Sequence, residues 1–238
     1  MVKGKPPPRH RSLPARLFSF LFKSLLYFVI ASLLAVALFA IAPVPITATM
    51  LFDSNGANRQ WRSLSEISPN LVRGVIAAED SKFCQHDGFD VAAIEKAIAR
   101  NSASKRLRGG STISQQTAKN VFLWQGSGYS RYIRKIPEVW FTFLIETIWG
   151  KRRIMEVYLN VAETGIGTYG AEAGAQRYFK KSAQNLSRIE AARVAAALPS
   201  PKKRAVNGAR GFTRRYGNSI AARINVVKRD GLDGCIYK

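Results

Sequence analysis

Acidic residues are scarce. The 238-residue chain carries 15 Asp and Glu against 37 Lys and Arg, a formal net charge of +22. Such a surplus points to an acidic partner: nucleic acid, an anionic membrane surface or a phosphorylated substrate. Charge alone does not choose among them. Metal-ligating side chains are scarcer still. There are two histidines, His10 and His86, and two cysteines, Cys84 and Cys235, with no Cys-x-x-Cys spacing. That excludes the usual zinc motifs. The cysteines could pair in an oxidising compartment, but the preferred reading is two free or buried thiols. Strand-like alternation is rare and no repeat is visible, so the fold should be mainly α. The apolar share of 47% is that of a chain with a sizeable core rather than a disordered one.

Acids are missing altogether from the N-terminal 23 residues, which hold Lys3, Lys5, Arg9, Arg11, Arg16 and Lys23. No charged residue follows until Asp53. Inside that gap Leu25 to Ala42 is almost unbroken apolar sequence, and Pro43 and Pro45 mark its end. A spanning helix needs about 20 residues. A signal peptide has a shorter apolar region and a small-x-small cleavage site, so an uncleaved anchor is the better reading. The domains expected are a basic cytoplasmic tail over 1–23, a transmembrane helix over 24–43, a linker over 44–65 rich in Pro, Ser, Asn and Gly, and a folded domain over 66–238. The basic flank precedes the span, so the N-terminus should be cytoplasmic and the domain outside.

Helix signals fill that domain. Ser68-Pro69 reads as an N-cap with proline in the first turn, followed by Leu71, Val72, Val75 and Ile76 on one face. Asp90 can cap a second helix. A basic glycine-containing loop with Lys105, Arg106 and Arg108 precedes a third helix starting near Ser111. Arg134–Trp149, Ile154–Val161 and Ala171–Phe179 follow. Ser187-x-x-Glu190 is a capping box before an alanine-rich helix ending by Pro199. Ile220, Ile224 and Val227 suggest a last helix.

Four segments combine carboxylates, cations and glycines as a core alone would not require. The first is Glu79-Asp80-Ser81-Lys82-Phe83 with His86, Gly88 and Phe89. Adjacent helical residues point about 100° apart, so only one of Glu79 and Asp80 can face a given substrate atom. The second runs from Gly109 to Asn120. A helix from Ser111 places Thr112, Gln116 and Lys119 on one face beside a helix N-terminus, a set of donors suited to phosphate. The third is Arg134-Lys135-Ile136-Pro137-Glu138, with Arg134 and Glu138 at i,i+4. The fourth is Lys151 to Asn160. Singly, each has a plain structural explanation, such as a surface ion pair worth about 0.3–0.5 kcal/mol.

Together they resemble a known family. AAEDSKFCQHDGFD (77–90), RGGSTISQQTAKN (108–120), RKIPE (134–138), KRRIMEVYLN (151–160) and EAARVAAALPSP (190–201) look like the monofunctional biosynthetic peptidoglycan transglycosylases. These share their domain with the glycosyltransferase half of bifunctional penicillin-binding proteins. The resemblance implies a lysozyme-like, largely helical glycosyltransferase domain with a groove and a membrane-embedded jaw, behind one N-terminal transmembrane helix in the bacterial inner membrane. It implies glycan polymerisation from lipid II, by attack of a sugar 4-hydroxyl on the growing chain with inversion and release of undecaprenyl pyrophosphate. By that similarity Glu79 is the catalytic base, and Glu138 works on the leaving-group side, with a divalent cation (Mg²⁺ or Mn²⁺) as a candidate helper. Lys119 contacts pyrophosphate, and Ser111, Gln116, Arg134 and Arg153 are substrate contacts. The family's further arginine has Arg131 as its nearest candidate, with shifted spacing. No organic cofactor is implied. Expected partners are lipid II, the glycan strand, the inner membrane and cell-wall synthesis or division proteins, with no nucleic acid.

The chemistry suits these residue types. A sugar hydroxyl needs a positioned base, and a pyrophosphate leaves already charged, so it needs cations more than an acid. A lytic enzyme of the same fold is the nearest rival, but a neutral polysaccharide needs no Lys119 and Arg134. A non-enzymatic basic membrane protein explains the charge and leaves the glutamates idle. Transpeptidase activity is not expected, because Ser102-x-x-Lys105 and Ser200-x-x-Lys203 lack a following Lys-Thr-Gly.

Overall fold

The computed structural model describes residues 13–103, 110–126 and 128–237. The basic residues before position 13 and those of the 104–109 loop, Lys105, Arg106 and Arg108, lie outside the described residues.

The first helix, α1 (Leu13–Ile41), has 29 residues and contains an 18-residue stretch of mean hydropathy 2.6. At 1.5 Å per residue it is about 43 Å long, more than the roughly 30 Å of a hydrocarbon core. It begins well before the apolar run, because Leu17 to Phe22 continue the helical backbone past Lys23 and Arg16. It ends just ahead of Pro43, as proline requires. Its outer half is exposed on all sides. Its last turns pack on the domain, where Trp140 Nε1 donates to Ser32 Oγ at 3.0 Å and Trp149 Nε1 to the Val36 carbonyl at 2.7 Å.

The segment read as a linker contains ordered elements. α2 (Ala48–Leu51) is capped by Thr47. β1 (Asn58–Arg59) lies parallel to a strand over a hundred residues away, and a 3-10 turn spans Leu64–Glu66. Arg62 N–H donates to Asn160 Oδ1 at 2.8 Å and Leu64 N–H to Glu156 Oε2 at 3.0 Å. The local composition is loop-like; these distant partners supply the order.

α3 (Pro69–Glu79) starts at the expected Ser68 cap and buries Leu71, Val72, Val75 and Ile76. α4 (Val91–Ala103) follows Asp90, whose carboxylate accepts from Ala93 N–H at 3.0 Å. α5 (Ile113–Phe122) has Thr112 as N-cap in a capping box with Gln115. Then come α6 (Ser130–Ile133), α7 (Lys135–Ile148), α8 (Gly150–Val161), β2 (Glu163–Gly165), β3 (Thr168–Tyr169) and α9 (Gly170–Phe179). α10 (Arg188–Ala197) begins at the Ser187 capping box, and α11 (Gly211–Arg229) closes the chain. The strands form a three-stranded sheet in the order β1-β3-β2.

The helices pack in two groups: α3, α10 and α11 pack mutually, and α5 packs on α7 and α8. The core threads both, with Tyr158, Phe83, Ile113 and Ile154 fully buried. Outside it, α7 turns Ile136, Val139 and Phe143 to solvent on one face, and α6 adds Tyr132 and Ile133.

The two cysteines are not free thiols. Cys84, in the loop after α3, is disulfide-bonded to Cys235 in the C-terminal tail, with Cα atoms 5.4 Å apart. The fold brings together segments 151 residues apart in sequence, and no local pattern announces that meeting.

Candidate active site

α3 ends at Glu79, and its C-cap Asp80 turns the chain away. The two carboxylates therefore point apart and have different surroundings. Asp80 accepts from His86 Nε2 at 3.0 Å and from Ile113 N–H at 3.0 Å. It ties the end of α3 to the start of α5. Gly88 completes this corner: at φ +92°, with room for no Cβ because Thr142 Cγ2 would lie 2.8 Å away, it offers its carbonyl to the Thr112 hydroxyl at 2.6 Å. Asp80 is thus a structural group.

This overturns one expectation. The N-terminus of α5 is not open to a phosphate. Ile113 N–H is taken by Asp80, and the Thr112 and Gln115 N–H groups are taken by each other's side chains at 3.0 and 3.2 Å. Thr112 is an N-cap, and only Gln116 and Lys119 of the expected triplet line the larger cleft.

Glu79 is held differently. Its Oε2 accepts from Gln116 Nε2 at 2.9 Å, and its Oε1 is buried with no hydrogen-bond partner. Burial raises its pKa above the ordinary carboxylate value. The Gln116 hydrogen bond and the charges of Arg204 and Lys119 oppose that rise, while Asp80 adds to it. Lys119 is shifted the other way. Burial lowers its pKa, Arg134 and Lys135 press it lower, and Glu138 and Glu79 pull it back. Lys119 accordingly lies in the fields of both glutamates. No hydrogen bond or ion pair occupies its ammonium among the described residues.

Glu138 is buried in the first turn of α7. Arg134 donates to its Oε2 and Lys135 to its Oε1. Lys135 also lies 3.5 Å from the Ser111 hydroxyl, so Ser111 joins the two halves of the site. The i,i+4 pair expected from sequence is present, and Lys135 completes it. With both oxygens engaged by cations, and no cluster of three acidic, His or Cys side chains among the described residues, this donor set does not fit a resident divalent cation.

Two clefts flank the Glu79–Gln116 contact. A smaller one, of about 250 Å³, is lined by Glu79, Asp90, Lys96 and Ser111. A larger one, of about 650 Å³, is lined by Gln116, Lys119, Trp124, Tyr158 and Lys202, and Glu79 does not reach its wall. Glu79 therefore lines the smaller space and Gln116 the larger one.

Two expected residues are elsewhere. Arg153 donates to the Phe39 carbonyl at 2.9 and 3.0 Å and to the Ala42 carbonyl at 2.5 Å, pairs with Glu156 and lies over Trp61. It caps the C-terminus of α1. Arg131 is exposed on α6, its guanidinium 5.5 Å from the Tyr132 ring. Sequence reasoning also passed over groups that do face Glu79. Arg204 follows the last quoted segment by three residues, and Tyr216 donates to the Ala78 carbonyl at 2.9 Å, bracing the end of α3. Tyr158 sits inside the quoted KRRIMEVYLN segment, but no spacing rule joins it to Gln116.

The transglycosylase family model matches residues 46–227. Among curated proteins, the chain is 49% identical over 214 residues to the biosynthetic peptidoglycan transglycosylase of Caulobacter vibrioides, covering 89% of this chain and 92% of that one. It is 46% identical to the protein of that name from Bdellovibrio bacteriovorus, covering 85% of each chain. It is 50% identical over 190 residues to the Escherichia coli one, covering 75% and 77%.

Proposed function

The chain belongs to the transglycosylase family, and from that premise we propose that the junction around Glu79 polymerises glycan from lipid II. The enzyme is a peptidoglycan glycosyltransferase.

One observation carries the mechanism. Glu79 has one oxygen tied by Gln116 and one buried oxygen with no partner. The free oxygen, Oε1, takes the proton of the acceptor sugar's 4-hydroxyl. The acceptor sugar's 4-oxygen, so deprotonated, bonds to the anomeric carbon of the growing chain from the face opposite the pyrophosphate, and the bond from that carbon to the pyrophosphate breaks. The result is inversion, a protonated Glu79 and a free undecaprenyl pyrophosphate. The smaller cleft, which Glu79 lines, holds the incoming hydroxyl. Lys119 lies beyond Gln116 without an ion-pair partner among the described residues, so its ammonium meets the charge of the departing group. Glu138 anchors the Arg134 and Lys135 cations beside it. A lytic enzyme acting on neutral glycan would have no use for these three cations.

The anchor supports a single-pass arrangement in the inner membrane, with the N-terminus cytoplasmic and the domain periplasmic. The basic flank favours that orientation, and the Cys84–Cys235 disulfide suits an oxidising compartment. α7 packs on α1, and its exposed apolar face, with that of α6, fits the jaw that would rest in the bilayer, within reach of lipid-linked substrates. Docking to cell-wall synthesis or division proteins is consistent with the reaction.

The test is Glu79→Gln in a lipid II polymerisation assay on the full chain. Loss of a general base typically lowers rate by about 10²–10⁴. The variant should fold and bind substrate while polymerising at that lower rate. Near-normal turnover would remove Glu79 from the chemistry.

A further inference from the structure

Tyr158 is 1% exposed and has no place in the steps above, yet its hydroxyl lies 3.4 Å from Gln116 Oε1. Gln116 thus stands between two groups. Its carbonyl faces a phenol and its NH₂ faces Glu79 Oε2 at 2.9 Å.

An amide has one donor end and one acceptor end. A phenol with no other hydrogen-bond partner among the described residues can donate to the acceptor end. With the carbonyl so engaged, the NH₂ must point at Glu79. If the amide were reversed, its oxygen would lie against the carboxylate, and that contact is tolerable only when Glu79 carries a proton. The orientation of Gln116 therefore selects the ionised form of the base.

We propose that Tyr158 is the positioning residue for Glu79: its hydroxyl fixes the Gln116 amide so that the NH₂ group, and not the carbonyl, meets the carboxylate. The tyrosine touches no reacting atom and acts only through Gln116. This rests on Glu79 being the base. α8, which carries Tyr158 inside the core, is clamped by α5 and α9, so the phenol is a rigid post for a side chain on a neighbouring helix. The charged and titratable groups around Glu79 are Lys119 from α5, Asp80 beside it, Arg204 from the loop after α10, Tyr216 from α11 and Tyr158 itself. Of these, among the described residues, only Tyr158 reaches Gln116 by a hydrogen bond.

The experiment is Tyr158→Phe, which keeps the ring in the core and removes one hydroxyl. Rate is measured across pH on the full chain with lipid II. With the amide free to reverse, kcat should fall roughly tenfold, about what one hydrogen bond controls. KM should change little, and the acid limb of the kcat profile should move to higher pH. On a Gln116→Ala background, Tyr158→Phe should cost nothing further, since the connection is already cut. A merely structural tyrosine would lower the melting temperature without moving the limb. An unmoved limb, or a full additional loss on the Gln116→Ala background, would overturn the inference. Should Tyr158→Phe fold poorly, Gln116→Leu with Tyr158 intact reads the same connection: its limb should also rise, and an unmoved limb there would overturn the inference as well. The two readings separate cleanly. Retained turnover in Glu79→Gln removes the base assignment; a dead Glu79→Gln with an unmoved limb in Tyr158→Phe removes only this one.

Discussion

Glu79 and Asp80 are neighbours in sequence and unlike in duty. Asp80 has its lone pairs filled by His86 and a backbone N–H, so it serves the fold. Glu79 keeps an unfilled buried oxygen, which is a cost to the fold whenever the group is charged. The consequence for stability has a definite sign. Burial raises the folded-state pKa of Glu79 above the unfolded value near 4.3. Below that unfolded value both states are protonated and nothing is lost. As pH rises through the folded pKa, the native state pays for a buried charge, and stability declines. Glu79→Gln should therefore melt higher than the parent at neutral pH and equally at a pH below about 4. Calorimetry at the two pH values checks this, and a lower neutral melting temperature would show that the carboxylate supports the fold. The same shift places the acid limb of the rate profile above the ordinary carboxylate range. That only one of the two could face a given substrate atom was legible from the 100° rule, and the resemblance implied Glu79; the turn at Asp80 adds the structural duty of the other.

At the scale of elements, helices announced themselves wherever their causes were local. Ser68-Pro69, Ser187-x-x-Glu190 and the apolar run of α1 work within a few residues, and they are where the sequence places them. The helical backbone of α1 runs from Leu13, ahead of the apolar run, because hydropathy is interrupted at Lys23 while helical backbone is not. The order within 44–65 was missed because Asn160 and Glu156, which hold it, lie about a hundred residues downstream. Arg153 was misplaced for a related reason: a cationic helix face beside a motif reads as a ligand site, yet its partners are carbonyls of the anchor. Its removal should loosen the joint between anchor and domain. Arg153→Ala removes the guanidinium from the last carbonyls of α1 and from Glu156 Oε1, a change of about 1–3 kcal/mol. The melting temperature should fall while kcat of the folded enzyme stays near the parent value. A selective rise in KM with an unchanged melting temperature would return Arg153 to the substrate.

At the scale of the molecule, the disulfide is the feature that composition least foretold and that binds most. Two cysteines in 238 residues suggested thiols, and yet Cys84–Cys235 closes the chain over a separation of 151 residues. It fastens the C-terminal tail to the loop just beyond Glu79 and Asp80, where Cys235 N–H also lies 3.3 Å from Cys84 Sγ. The tail has a second tie in Arg73, whose Nε donates to Asp233 at 2.7 Å. Cross-links over long loops restrict the unfolded chain most, and removing a native one typically costs about 2–5 kcal/mol. Reductant should accordingly lower the melting temperature of the parent enzyme, and Cys84→Ser/Cys235→Ser should melt at that lower temperature with or without reductant. The Arg73–Asp233 pair and the α3–α11 packing persist without the bond, so the reduced enzyme should still fold at moderate temperature and polymerise glycan. Thermal melts with and without dithiothreitol, beside an activity assay at a temperature below both transitions, measure the two effects separately. Identical melts would mean that the tail is held by packing alone. A reduced enzyme that is folded but inactive would mean that the bond positions the loop after Glu79 for the reaction, beyond its effect on the unfolded chain.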